Sequence, residues 1–221
     1  VCEGAYDRDH CSATYHETVV HRLARHGILG EQTICGHCVY LTDEDRAALA
    51  DTQTAVVHNP QSNMGNAVGV TDILKLIGAG VTVGLGTDGF TADLLESVKT
   101  ASVLVKHMNQ HPSIGFGEVM DMAFVNNARL ADRHFGGTCG VIRPGARADL
   151  IVSDYRPMTR LTGDNLNGHI TFGMNGRNIT TTICGGRVLM QDRVLVGVDE
   201  EKIAYECRAQ ADALWRALGA L

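Results

Sequence analysis

Short apolar segments alternate with longer amphipathic segments along most of the chain. Runs rich in β-branched residues predict strands, whereas apolar positions three or four residues apart predict helices. A regular alternation of the two favours parallel strands joined by crossover helices. We therefore predict an α/β fold for this region. The predicted strands are 32–35, 54–57 and 81–85, and the predicted helices are 16–26, 42–49, 72–77, 92–108 and 116–131. Thr71 is predicted to cap the helix 72–77, and His10 is predicted to lie in a loop.

The pattern changes after about Gly136, where turn residues replace the helical period. Strands are predicted at 148–154, 179–184 and 187–190, and the Gly-Gly pair between the last two predicts a tight hairpin. Together they predict part of a small β-domain. A final amphipathic helix at about 200–217 carries an apolar face, which indicates packing.

The charge balance argues against several classes of partner. The net charge is −6 at pH 7, the pI is about 5.9, and the basic residues are scattered. We therefore predict no nucleic-acid partner and no association with an anionic membrane. No apolar run approaches the roughly 18–20 residues that a transmembrane helix needs. Seven cysteines in a chain too long to need disulfides favour a reducing, cytoplasmic location.

The segment Val83–Gly89 predicts a buried strand that ends on the carboxylate of Asp88. Its glycines allow a sharp turn and close approach of a ligand. In an α/β barrel, the carboxyl ends of the strands carry metal ligands and catalytic bases. The alternative is structural, because Asp88 and Thr91 are both suitable caps for the following helix. The segment alone leaves both interpretations open.

The tetrapeptide Cys35-Gly36-His37-Cys38 matches the pattern of disulfide isomerases and suggests redox chemistry. Its context opposes that hypothesis. No Trp precedes it, and no helix is predicted to begin at the motif and lower the pKa of a thiol. A structural zinc site is also disfavoured, because the cysteines elsewhere do not form a second ligand pair.

Further polar residues follow other predicted strands. Glu3 and His37 come directly after strand-like segments, and His58 begins a polar stretch that contains Ser62 and Asn63. Each has a structural alternative, such as a hydrogen-bonded core histidine or a loop closed by polar side chains. Strands that end on Glu3, His37, His58 and Asp88 would converge at one rim of a barrel, which favours a single site.

These motifs resemble those of the metal-dependent amidohydrolases. Within that family they are most similar to the SsnA-type aminohydrolases, which are related to the chlorohydrolases and to the purine or pterin deaminases. The resemblance covers essentially the whole chain, and residues 169–174 favour the SsnA type. It implies the C-terminal half of a (β/α)8 TIM barrel, followed by part of a small β-sandwich domain. The implied domains are a partial barrel at 1–140, part of the β-sandwich at 141–196 and a C-terminal helix at 197–221, packed on the barrel. The segments that carry the resemblance are 1–3, 34–41, 57–64, 85–89, 144–150 and 169–174.

The resemblance also implies a mechanism. One divalent metal, zinc or else iron, binds Asp88, and hydroxide on that metal attacks a C–N centre of a purine-like heterocycle. Glu3 carries a proton to the leaving amine, and His37 orients the hydroxide or polarises the substrate. Ser62, Asn63 and His58 are candidates for substrate contact.

The chain departs from the family pattern in one respect. It contains no His-x-His pair, so that only Asp88 of four expected metal ligands is present. The resemblance therefore implies that the rest of the barrel, and the other ligands, belong to a missing N-terminal half of the same enzyme. A homodimer is expected by analogy. The alternative hypothesis is a non-catalytic half-barrel that acts as a scaffold or binding partner.

Overall fold

The computed structural model describes residues 1–219 and divides into two compact units. The first contains Val1–Ala146 and Arg156–Gly176. The second contains Arg147–Tyr155 and the chain from Arg177 onward. The predicted domain boundaries after residues 140 and 196 stay predictions. The last two residues of the predicted segment 197–221 lie outside the described part of the chain.

The first unit is built on a parallel sheet with the strand order β1-β2-β3. Ile34 pairs with Ala55, and Val56 pairs with Val83, so that all three strands end at the same edge. Helices follow β1 and β2, as the alternating pattern predicted. The strands are β1 (Ile34–Gly36), β2 (Ala55–His58) and β3 (Val83–Leu85).

The first residues of the chain run beside β1. The nitrogen of Val1 donates a hydrogen bond to the carbonyl of Gly36 at 3.0 Å, and the nitrogen of Cys38 donates to the carbonyl of Val1 at 3.0 Å. This pairing agrees with the strand-like character predicted there. It also fixes Glu3 at the edge where the strands of the sheet end.

Local capping explains where several helices begin. Thr42 and Asp45 form a capping box before α3, and Asp93 accepts from the nitrogen of Leu95 to cap α6. Pro60 occupies the first turn of α4. The helices of the first unit are α1 (Ala5–Tyr15), α2 (Val19–Arg25), α3 (Asp43–Asp51), α4 (Pro60–Gly65), α5 (Ile73–Gly78), α6 (Leu94–Asn109), α7 (Phe116–Met120), α8 (Asn127–Phe135) and α9 (Leu166–Phe172).

The structure differs from the prediction at two helices near the start of the chain. The predicted helix 16–26 begins only at Val19, because Thr18 caps it and His16 adopts a left-handed conformation with φ of 57°. A separate helix, α1, precedes it and contains His10, which was expected in a loop. Only Cys11 of α1 is buried, so its sequence shows little apolar periodicity.

The core of the first unit lies between the parallel sheet and its helices. Strand residues such as Val56 and Val83 are fully buried there, beside Leu49 of α3 and Val98 of α6. Burying these apolar side chains is the main favourable term that holds the unit together. The core therefore fixes the strands whose ends carry the candidate residues.

The outer edge of β3 is covered by two asparagine side chains. Asn126 Nδ2 donates to the carbonyl of Val83 at 2.8 Å. Asn127 donates from Nδ2 to the carbonyl of Leu85 at 2.8 Å and accepts from its nitrogen at 3.0 Å. A π-helical segment, Asp121–Asn126, joins α7 to α8, so the predicted helix 116–131 is irregular and extends to Phe135. The amides satisfy backbone groups that an edge strand leaves unpaired.

The second unit contains an antiparallel sheet with the order β4-β5-β6-β7. The hairpin between β5 and β6 turns through Gly185 and Gly186, both with positive φ, as predicted. The last helix exposes its apolar side chains, Leu214 and Trp215 included, and its packing on the barrel stays a prediction. The elements are β4 (Leu150–Ser153), β5 (Ile179–Cys184), β6 (Arg187–Gln191), β7 (Val194–Leu195) and α10 (Glu200–Gly219).

Among the described residues, no helix combines the length and the apolar character that crossing a membrane requires.

Candidate active site at the strand ends

Three of the predicted catalytic side chains lie together where the parallel strands end. His37 Nε2 is 3.7 Å from Glu3 Oε2 and 3.5 Å from Asp88 Oδ2. One potential ligand atom from each residue lies within 4.8 Å of the other two. The side chains are partly exposed, so the cluster can be reached from solvent.

The backbone turns sharply at two of these residues. His37 has a φ of 69° and Asp88 a φ of 54°, in the left-handed region that costs a non-glycine residue about 1 kcal/mol. Backbone hydrogen bonds from His37 N to Val57 O and from Gly86 N to His58 O continue the sheet up to the turns. The strained conformation is therefore held by the sheet, and it turns both side chains toward the cluster.

Asp88 is held as a carboxylate by two donors. The hydroxyl of Ser62 donates to Oδ2 at 2.7 Å, and the nitrogen of Gly89 donates to Oδ1 at 2.6 Å. The hydrogen bond from Ser62, followed by the one from Gly89, holds the pKa of Asp88 below its ordinary value. The alternative role of Asp88 as a helix cap is not observed, because Asp93 caps α6.

His37 is oriented from its other ring nitrogen. Its Nδ1 lies 2.8 Å from Asn63 Oδ1, and the Asn63 side chain is fully buried. Asn63 Nδ2 in turn donates to Thr71 Oγ1 at 3.2 Å. This contact fixes the plane of the imidazole and directs Nε2 toward Glu3 and Asp88.

Glu3 receives a hydrogen bond from a residue that sequence reasoning missed. Asn66 Nδ2 donates to Glu3 Oε1 at 3.2 Å, which leaves Oε2 on the side of His37. Asn66 follows α4, only three residues after Asn63, so the polar run that begins at His58 supplies contacts to all three catalytic candidates.

His58 lies behind this cluster, at the end of β2. It is 2% exposed, and its Nδ1 has no hydrogen-bond partner among the described residues. Burial, aided by the nearby His37, lowers the pKa of His58 to about 4. His58 also lines a cavity of about 190 Å³ between α5 and α6. Its predicted contact with substrate stays a prediction, as do those of Ser62 and Asn63.

Thr71 has a different role from the predicted one. It was expected to cap the following helix, but Asp72 does so by accepting from the nitrogen of Lys75. Thr71 instead donates from Oγ1 to the carbonyl of His37 at 2.7 Å. No local sequence signal could indicate this contact, because the two residues are 34 positions apart.

The Cys35 and Cys38 thiols are both buried. Hydrogen bonding to Cys35, together with burial, raises the pKa of the Cys38 thiol, and the same hydrogen bond lowers the pKa of Cys35. The next helix begins only at Asp43. Disulfide exchange needs an accessible thiolate. The geometry therefore does not support the redox hypothesis for this motif.

The donor set of the cluster fits a divalent metal. One imidazole nitrogen and two carboxylate oxygens are the ligand types that zinc and iron accept. Asp88 is oriented by Ser62 in the way that outer hydrogen bonds orient metal ligands.

Comparison with known proteins agrees with this geometry. The model of the amidohydrolase family matches residues 2–189, which is most of the chain. The chain belongs to the amidohydrolase family. The resemblance inferred from the strand-end motifs is thereby confirmed at the level of the family.

Relatives of this amidohydrolase chain include named deaminases. It is 35% identical over 205 residues to a 5′-deoxyadenosine deaminase of Methanosarcina acetivorans, covering 90% of the chain and 46% of that protein. It is 39% identical over 189 residues to a 5-methylthioadenosine/S-adenosylhomocysteine deaminase of Thermococcus onnurineus, covering 83% of the chain and 44% of that protein. The chain spans about half the length of the curated relatives it matches.

Solved structures share the fold. A zinc-bound adenosine deaminase from Xanthomonas campestris superposes with a TM-score of 0.85 at 24% identity, covering 97% of this chain and 49% of that one. The zinc complex of the atrazine chlorohydrolase TrzN from Arthrobacter aurescens superposes with a TM-score of 0.72 at 23% identity, covering 93% of this chain and 46% of that one. The predicted α/β architecture, half of an amidohydrolase barrel, is confirmed.

Proposed function

We propose that this amidohydrolase chain contributes half of the active site of a metal-dependent hydrolytic deaminase that acts on a purine-like heterocycle. The observation that carries the proposal is the approach of Glu3, His37 and Asp88 to within 4.8 Å at the ends of parallel strands. Family membership and the names of the deaminase relatives support it.

Asp88 is the residue that we assign to one divalent metal, zinc in preference to iron. Its carboxylate is oriented by Ser62 and by the nitrogen of Gly89. When bound, the metal supplies Lewis acidity and lowers the pKa of water. We propose that the other ligands come from an N-terminal segment of the same enzyme, since residues 1–221 contain no His-x-His pair.

Glu3 and His37 are suited to moving and holding protons. Hydrolytic deamination removes a proton from the attacking water and delivers one to the departing amine. Glu3 is anchored at Oε1 by Asn66, and its Oε2 remains available for such a transfer. His37 presents Nε2 beside both carboxylates, where it would accept a hydrogen bond from the attacking water and so orient it.

The substrate is proposed from the relatives rather than from this site alone. The names of these relatives specify 5′-deoxyadenosine, 5-methylthioadenosine and S-adenosylhomocysteine, so an adenine nucleoside is the first class to test. Ser62, beside Asp88, is a candidate for contact with the reacting group. The finer assignment to the SsnA type, a homodimer and a cytoplasmic location stay predictions.

The test is ammonia release from the named adenine nucleosides, using the zinc-loaded protein that includes any native coding sequence upstream of Val1. Asp88→Asn and Glu3→Gln should each lower kcat at least about 100-fold, because they remove proton-transfer or metal-binding groups. Asp51→Asn, at an exposed site on α3, should leave kcat unchanged. Wild-type activity in Asp88→Asn would contradict the proposal. A protein that assembles normally but releases no ammonia would favour the scaffold hypothesis instead.

A further inference from the structure

A closed ring of hydrogen bonds connects the side chain of His37 to its own backbone carbonyl. His37 Nδ1 lies 2.8 Å from Asn63 Oδ1, and Asn63 Nδ2 lies 3.2 Å from Thr71 Oγ1. Thr71 Oγ1 then lies 2.7 Å from the carbonyl oxygen of His37. Asn63 is 0% exposed and Thr71 is 2% exposed, so these three contacts have little competition from water.

The direction of each hydrogen bond follows from the one before it. A backbone carbonyl can only accept, so the single hydroxyl proton of Thr71 is used on His37. Thr71 Oγ1 must therefore accept from Asn63, and the group of Asn63 that faces it must be the NH₂. The amide oxygen is then the atom that faces His37. Because an amide oxygen only accepts, the proton must reside on His37 Nδ1.

We propose that Thr71 and Asn63 are positioning residues that fix the tautomer of His37, with Nδ1 protonated and Nε2 presented to the reaction. Asn63 then acts through His37, rather than through substrate contact. The functional meaning rests on the deaminase proposed above, because Nε2 is the nitrogen that faces Glu3 and Asp88. The assignment of the proton rests only on the ring itself.

The ring also explains why an amide and a hydroxyl are needed at these two positions. An amide without the hydroxyl could turn over and present its NH₂ to Nδ1, which would favour the opposite tautomer. Thr71 prevents this rotation because it can offer only an acceptor to Asn63. The Thr71 hydroxyl is itself oriented by the backbone carbonyl of His37, to which it donates.

The test is the ¹⁵N spectrum of the histidine side chains in the ¹⁵N-labelled protein at alkaline pH, where imidazoles are neutral. The His37 signals are identified by their loss in His37→Gln. We expect a protonated Nδ1 and an unprotonated Nε2 in the wild type and in Thr71→Ser, which keeps the hydroxyl. Thr71→Val should lose this preference and show a mixture of tautomers. Circular dichroism checks that both variants are folded.

Two results would overturn the proposal. The first is a wild-type His37 with its proton on Nε2, which needs no variant and so holds even if Thr71→Val fails to fold. The second is a folded Thr71→Val that keeps the Nδ1 tautomer completely.

Activity separates this inference from the proposed function. In an active enzyme, Thr71→Val should lower kcat about tenfold with little change in KM, as expected for an outer hydrogen-bond partner, and Thr71→Ser should restore it. An inactive protein with the Nδ1 tautomer would refute the deaminase but keep the ring. An active enzyme whose His37 carries its proton on Nε2 would support the deaminase and refute the ring.

Discussion

The hydroxyl of Ser62 donates a 2.7 Å hydrogen bond to Oδ2 of Asp88, across 26 positions of sequence. It joins the start of α4, after β2, to the turn that follows β3. The same hydrogen bond is the largest cause of the lowered pKa of Asp88. Ser62 thus supports the carboxylate that we assign to the metal.

Replacing Ser62 by alanine should weaken metal binding. Without the hydroxyl, the pKa of Asp88 should rise toward its ordinary value, and the carboxylate loses an orienting partner. We expect zinc affinity of the complete enzyme to fall about tenfold, measured by competition with a chelating dye. Ser102→Ala is the matched control, because the Ser102 hydroxyl is buried and has no partner among the described residues. Equal affinities in the two variants would contradict this role of Ser62.

Gly86 is required because two side chains approach its backbone closely. A Cβ there would clash with Asn59 Oδ1 and would lie 2.7 Å from Val57 Cγ1. Gly86→Ala should therefore lower the free energy of unfolding by about 1–3 kcal/mol and displace the turn that carries Asp88. Gly89→Ala, in the same turn, meets no atom within 4 Å and should be near neutral. Urea denaturation of both variants checks the difference, and equal losses would be evidence against it.

The buried His58 should make stability depend on pH. Its pKa is lowered from the ordinary 6.5 to about 4, so between these values the unfolded chain binds more protons than the folded one. The free energy of unfolding should therefore fall as the pH drops through this window, by about 3 kcal/mol in total from this group.

Urea denaturation at a series of pH values tests that expectation. His58→Gln should flatten the dependence below pH 6.5, whatever its effect on stability at neutral pH. His134→Gln, at an exposed position on α8, should keep the wild-type slope. An unchanged slope in His58→Gln would mean that another group is responsible.

Asn127 should contribute more to the free energy of unfolding than an ordinary polar residue on a helix does. Its amide satisfies both the nitrogen and the carbonyl of Leu85. Asn127→Ala should leave these two backbone groups unpaired and cost about 1–3 kcal/mol for each group that water cannot reach. Asn109→Ala, which removes one partly buried hydrogen bond from an exposed side chain to the carbonyl of Val105, is the control. Similar unfolding free energies for the two variants would refute the special role of Asn127.

The strand ends were predictable because of simple geometry. A parallel sheet brings the carboxyl ends of its strands to one edge, so residues that follow each strand must meet there. Glu3, His37 and Asp88 do so in the structure. Their assigned chemical roles came from the family resemblance and stay proposals.

The contacts behind the cluster were not predictable in the same way. Thr71 was interpreted as a helix cap, since a threonine before a helix is a common cap, and its true partner is 34 residues away. The first helix was missed because it buries only Cys11, which leaves almost no apolar period to detect.

The sequence by itself determined the alternation of strands and helices around the parallel sheet, the family, and the residues that end each strand, because hydrophobic periodicity and short motifs are local properties. Only the tertiary structure decided which nitrogen of His37 faces the carboxylates and which side chains hold it. Those outcomes depend on hydrogen bonds between positions far apart in the chain. Such bonds form only after packing has buried Asn63 and Thr71 together and removed water as a competing partner.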